Sequence, residues 1–218
     1  MKARFTLILC TILLGLSFQL FAQTRSIYTH PDFISLAQDH KVLAIIPFKA
    51  TVKLRPNQMK KYTPEQYEEM QKIEGKAIQS AVHSYFLKKK SKNPFTVSFQ
   101  DIQKTNALLG KNEITQDNIE NYTPEELAEI LGVDGVISGT MNTDKPMSEG
   151  ASMALGMVFG FYGSTNSGKI TIHINDGESG ELLWKYEKNL SRSLGSDTNT
   201  VINAMMRKAS RKLPYLRM

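Results

Sequence analysis

GSTNSGKI (163–170) fits the spacing of a phosphate-cradling loop, G-x-x-x-x-G-K, through Gly163, Gly168 and Lys169. That chemistry needs Ser or Thr after the lysine to hold magnesium, and a helix whose first N–H groups face the phosphate. Ile170 follows instead, and KITIHIN (169–175) alternates Ile170, Ile172 and Ile174 with the period of a strand. The match is one of spacing alone. Asp176, Glu178 and Glu181 cluster in NDGESGE (175–181), but they miss the ligand pattern of a calcium loop and suit a hairpin turn. His30, His40, His83 and His173 are scattered with no pair at metal-ligand spacing, so each reads as a surface or boundary histidine. No serine sits in a G-x-S-x-G elbow. A site that only the fold could gather, from Asp134, Asp144, His173 and Asp176, would make the chain a periplasmic hydrolase or small-ligand binder.

The single cysteine, Cys10, lies inside an apolar run from Phe5 to Leu16 that follows Lys2 and Arg4 and ends before Ala22. This order of cation, short apolar run and small residue is that of a secretory signal peptide, 1–22, and the run is too short to span a bilayer. The exported chain then has no thiol, which excludes disulfides and cysteine nucleophiles. It keeps about 196 residues, enough for one domain with a sizeable core, and carries 25 Lys and Arg against 21 Asp and Glu, a net charge of +4. No basic stripe interleaves with aromatic residues, so nucleic acid is not an expected partner.

KVLAIIPF (41–48) reads as a strand buried on both faces, stopped by Pro47 and followed by a polar connection. Thr63, Pro64 and Gln66 cap a long helix whose apolar face runs from Tyr67 to Phe86, with Glu65, Glu68, Glu69 and Glu74 on its solvated side. Lys88, Lys89, Lys90 and Lys92 close it; they could touch phosphates, though a helix C-terminus favours cations in any case. FTVSFQ (95–100) is a second strand, and a short helix follows at 102–109. Thr123, Pro124 and Glu126 start another helix that Gly132 ends, leading into the strand DGVISGTM (134–141). KITIHIN and ELLWKYEKN (181–189) form a hairpin, and a last amphipathic helix spans 198–213. The pattern predicts a single α/β domain, 41–216, with a mixed sheet of about five strands, preceded by an extension at 23–40.

The order of these elements, with LGVDGVISGT (132–140 preceded by Leu131) and DGESGELLW (176–184), resembles the bacterial envelope superfamily of CsgG, LpoB and related small lipoproteins, whose α/β fold is similar to the N-terminal domain of TolB. The resemblance implies a non-enzymatic protein acting in the assembly or regulation of an envelope complex, in the periplasm or at the outer-membrane periphery of a Gram-negative-type bacterium. It implies no cofactor and no metal. Two departures stand out: no suitably placed lipid-attachment cysteine, and a chain too short for CsgG-like membrane hairpins.

MSEGASMALGMVFGFYG (147–163) opens an insertion at 147–166, rich in Met and Gly. Read as a helix, it sets Ser152, Gly156 and Gly160 on one line, with Met153, Met157 and Phe161 beside it and Phe159 close by. Its apolar run is too short to cross a bilayer, so no transmembrane helix is expected in the exported chain. Either the segment finishes its own core, or it is an exposed patch for self-association, an envelope protein or peripheral membrane contact. In the second case Met153, Gly156, Met157, Phe159, Gly160 and Phe161 make the contact.

Overall fold

A computed structural model describes residues 25–92, 95–154, 167–191, 197–209 and 212–216. Seven strands form one mixed sheet: β1 (Arg25–Thr29), β2 (Val42–Ile45), β3 (Lys49–Val52), β4 (Ser98–Phe99), β5 (Gly135–Thr143), β6 (Ser167–Asp176) and β7 (Leu182–Ser191). Their order is β1-β7-β6-β5-β2-β4, with β3 pairing β5 beyond the end of β2. β2, β3 and β4 run parallel to their neighbours, whereas β5, β6, β7 and β1 are antiparallel. The helices are α1 (Phe33–Ala37), α2 (Pro56–Met59), α3 (Pro64–Lys90), α4 (Ile102–Lys111), α5 (Pro124–Leu131), α6 (Glu149–Ala154) and α7 (Thr198–Ala209).

The two capping boxes form as the sequence expects. Gln66 N donates to Thr63 Oγ1 at 3.3 Å while Thr63 N donates to Gln66 Oε1 at 3.0 Å, and Thr123 and Glu126 repeat the exchange at the start of α5. Gly132 ends α5 with φ 63°, a left-handed conformation that glycine adopts without a Cβ penalty. Gly75 has a different task. A Cβ there would collide with the Phe48 carbonyl oxygen, so glycine lets α3 lie directly on the β2–β3 junction.

β2 is buried on both faces, as its unbroken apolar run predicts. Leu43 and Ile45 join the main core with α3 and α7, while Ala44 and Ile46 join a second cluster with α4 and α5. On β6, Ile170, Ile172 and Ile174 all face the main core, beside Trp184 and Tyr186 of β7. Of the intervening residues, Lys169, His173 and Asn175 are only partly buried, while Thr171 is buried. The main core is therefore one layer of helices on one sheet face, and the second face is helix-covered over β2 and the start of β5.

The sheet has two strands more than expected. The extension at 23–40 supplies β1, which pairs with β7, and α1, whose Phe33 and Ala37 enter the main core. The stretch read as a polar connection after Pro47 supplies β3, with Ala50 and Val52 buried. FTVSFQ contributes only Ser98–Phe99 as strand, because its start turns to another partner: Thr96 N donates to Tyr215 O at 3.0 Å and Phe95 bridges Leu216. The last helix is described over Thr198–Ala209, Lys212 and Leu213 lie outside it although the expected span reached 213, and Leu213 and Tyr215 are still buried.

Candidate functional site

β6 has two ends, and they are closed differently. At one, residues 177–181 make a tight turn into β7 between Asp176 and Leu182. Asp176 is the hub of this turn. Its Oδ2 accepts from Ser179 Oγ and Ser179 N, both at 2.7 Å, and from Glu178 N at 3.2 Å, while Oδ1 lies 2.7 Å from His40 Nε2. Burial alone would raise the Asp176 pKa; the hydrogen bonds from Ser179 and then His40 outweigh it and hold the carboxyl below its usual range. His40 Nδ1 lies 2.7 Å from the Tyr215 hydroxyl. Burial, with Asp176 and Asp134 nearby, raises the Tyr215 pKa far above its ordinary value, so the hydroxyl keeps its proton. The Asp176 carboxylate can only accept, so His40 Nε2 is the donor in their 2.7 Å contact.

This Tyr–His–Asp relay has the look of catalytic machinery, yet every donor in it is spent on structure. Ser179 Oγ bonds to the carboxylate and not to the imidazole, and the Tyr215 side chain is fully buried. Next to it, Asp134 Oδ2 accepts from Lys41 N and Val42 N at 2.8 and 2.7 Å, fixing the start of β2. The cluster joins four chain segments at one end of the sheet. His40 is thus a buried structural residue, which corrects its reading as a surface or boundary histidine.

At the other end of β6, the ladder with β5 continues to the pair Thr143↔Gly168. Strands paired this far can be joined by two to five residues, but the chain uses 144–166. The described part of that connection is tied down. Met147 and Ala151 are buried, and the buried Glu74 of α3 accepts from Met147 N at 3.2 Å, Ser148 N at 3.0 Å and Ser148 Oγ at 2.8 Å. Burial raises the Glu74 pKa, and the bonds from Ser148 and Met147 oppose the shift. The carboxylate thus anchors the start of α6 to α3. Met153, near the end of α6, is 68 % exposed. Of the six residues expected to make contact, Met153 is described and exposed; Gly156, Met157, Phe159, Gly160 and Phe161 lie outside the described residues, as does the start of the phosphate-loop spacing at Gly163.

A cleft of about 450 Å³ lies over the second sheet face. Ser138, Thr140, His173 and Asn175 line it from the strands, with the ion pairs Lys49–Glu120 (2.7 Å) and Lys72–Asp117 (2.6 Å) among its bordering residues. Burial, then the charge of Lys185, lowers the His173 pKa, with Glu187 opposing. Of Asp134, Asp144, His173 and Asp176, the fold brings together Asp134 and Asp176, which border a second cavity beside His40, and leaves Asp144 and His173 apart from them. Asp134 precedes β5 and Asp144 follows it, roughly 30 Å apart along a strand of this length. Asp176 is committed to its turn, and His173 alone lines the cleft. Among the described residues no group of three His, Cys, Asp or Glu side chains is placed to hold a metal ion, and no helix is long and apolar enough to cross a membrane.

No family model matches the sequence, and no curated protein matches it. Among solved structures, the chain is similar to lipoprotein GNA1162 from Neisseria meningitidis, at 15 % identity and a TM-score of 0.44, covering 79 % of this chain and 99 % of that one. It is also similar to the PelC dodecamer from Paraburkholderia phytofirmans, at 13 % identity and a TM-score of 0.36, covering 89 % and 98 % of the two chains. The C-terminal domain of LpoB from Salmonella enterica is a third, at 12 % identity and a TM-score of 0.36, covering 74 % and 94 %.

Proposed function

We propose that the chain is a non-enzymatic, exported envelope protein that works by assembly, with itself or with an envelope partner, through the connection between β5 and β6. One observation carries this reading: the ladder closes to Thr143↔Gly168, yet residues 144–166 are spent where a short turn would do. A long connection is a loop-entropy cost that the fold itself does not require. Its composition, with Met153, Met157, Phe159 and Phe161 among Gly156 and Gly160, suits a close and adaptable apolar contact. Such a contact gains around 25 cal/mol per Å² of apolar area before the cost of association. The motifs resembling CsgG and LpoB-like lipoproteins, and the signal-peptide pattern at 1–22, support the envelope as the place. A photo-crosslinking residue at position 153 is expected to give a discrete crosslinked species, and the same residue at Lys61 none. Equal yields at the two positions would sink the reading.

A second reading rests on the cleft. Its volume falls in the range of small-ligand sites, and Ser138, Thr140, His173 and Asn175 offer convergent polar groups. A thermal shift produced by a fractionated envelope extract, lost in His173→Leu and kept in Gly156→Leu, would favour a ligand-binding protein over an assembly protein.

A further inference from the structure

Two stretches of the chain, 77–100 and 198–218, contain no aspartate or glutamate. The first holds Lys88, Lys89, Lys90 and Lys92; the second holds Arg207, Lys208, Arg211, Lys212 and Arg217. They are distant in sequence, but the fold joins them. α3 and α7 pack against each other, Phe95 bridges Leu216, and Thr96 N donates to Tyr215 O. The C-terminal ends of the two helices therefore lie at the same end of the molecule. Lys88, Lys90, Lys92, Arg207 and Lys212 are exposed there, while Lys89 is half-buried with its ammonium 5.6 Å from the centre of the Tyr85 ring. Leu87, among these lysines, is 45 % exposed. None of the ion pairs formed by the described residues uses Lys88, Lys90, Lys92, Arg207 or Lys212. Asp101, where acids resume in the sequence, spends its Oδ1 on capping α4.

A helix C-terminus carries about half a negative charge, which a single lysine offsets. Four at one helix end, with more from the neighbouring helix, exceed that need and repel one another. We propose that this basic end docks on an anionic phospholipid surface, its cations on the lipid phosphates and Leu87 at the headgroup boundary. The side chains favour this partner over an acidic protein. Lys88 and Lys90 leave α3 on opposite sides, so their ammonium groups diverge. A fluid array of mobile anions can meet diverging cations, whereas a fixed acidic patch must match their positions. Clusters of four to eight such cations are the pattern that anionic bilayers attract.

The test is co-sedimentation of protein purified after export with vesicles of phosphatidylcholine, or of phosphatidylcholine with 30 % phosphatidylglycerol as the probe. Binding is expected only to the phosphatidylglycerol vesicles, and to weaken steeply with salt. A triple variant, Lys88→Ala, Lys90→Ala and Lys92→Ala, is expected to bind on the order of 100-fold more weakly, at about fivefold per lysine. A charge-matched triple, Lys53→Ala, Lys60→Ala and Lys61→Ala, removes cations near the other end of α3, roughly 40 Å away and beyond the screening length. It is expected to bind within about threefold of the unmodified protein. Matching thermal melts exclude misfolding in either triple. Equal loss in both triples, equal binding to pure phosphatidylcholine, no binding to phosphatidylglycerol, or binding to polyglutamate in place of vesicles would each overturn the proposal. Gly156→Leu is expected to leave vesicle binding unchanged, which separates this inference from the assembly reading.

Discussion

The two ends of β6 differ in what they spend. The turn at 177–181 is minimal and polar, and the Asp176 hub satisfies its N–H and O–H groups together with His40. The connection at 144–166 is long and rich in apolar residues, and its described start is attached to the body by the buried Glu74 carboxylate and by the buried side chains of Met147 and Ala151. The first end contains what folding needs. The second is longer than a turn between paired strands needs, and its Met- and Gly-rich composition is what the assembly reading proposed above rests on.

Asp176→Ala should give the largest effect, because it strands His40 Nε2–H in a buried site and removes the acceptor of the part-buried Ser179 and Glu178 donors. About 3–5 kcal/mol of stability should be lost in urea unfolding. A cost below about 1 kcal/mol would mean that the turn is not the clamp described here. Tyr215→Phe removes only the hydroxyl on His40 Nδ1 and should cost about 1–3 kcal/mol. Hydrogen exchange should then quicken near His40 and the 177–181 turn before it does in β2.

At the other end, Glu74→Ala leaves Met147 N–H, Ser148 N–H and Ser148 O–H without their acceptor. A comparable loss of about 2–3 kcal/mol is expected. Glu74→Gln should cost less than half as much, since burial already disfavours the charged form. Removing residues 155–164 should instead leave the melting temperature nearly unchanged while abolishing assembly. A large fall in melting temperature would return that stretch to the core.

The smallest effect is one of pH. Burial lowers the pKa values of both His83 and His173, with Lys185 adding to the shift at His173. Below about pH 6.5 the unfolded chain takes up protons that the folded chain resists. The stability contributed by these histidines is therefore present above 6.5 and is lost as the pH falls through their folded pKa values. The double variant His83→Gln and His173→Gln should flatten the melting temperature between pH 7 and 5.5 by about 2–3 °C. An unchanged slope would show that other groups govern it.

Where one segment carries its own signal, the sequence is legible. The continuous run in β2, the alternation in β6 and the two Thr-Pro capping boxes each name their element, because burial on two faces, burial on one face and helix starts leave distinct local patterns. β1 and β3 were not legible, being short strands with partners supplied by distant chain. The His40 relay was hidden for the same reason, since His40 stands 136 residues from Asp176 and 175 from Tyr215. Nor could the cleft be read, as Ser138 and His173 meet only through the β5–β6 register. The Met/Gly stretch announced itself by composition, but its start proved to be anchored: Met147 and Ala151 are buried, while Met153 is exposed.

Light scattering on protein purified after export, over a range of concentrations and beside Gly156→Leu, tests the central claim most directly. Assembly through the β5–β6 connection predicts a mass that rises with concentration in the unmodified protein and stays at one chain in the variant. Identical oligomers in both would contradict it.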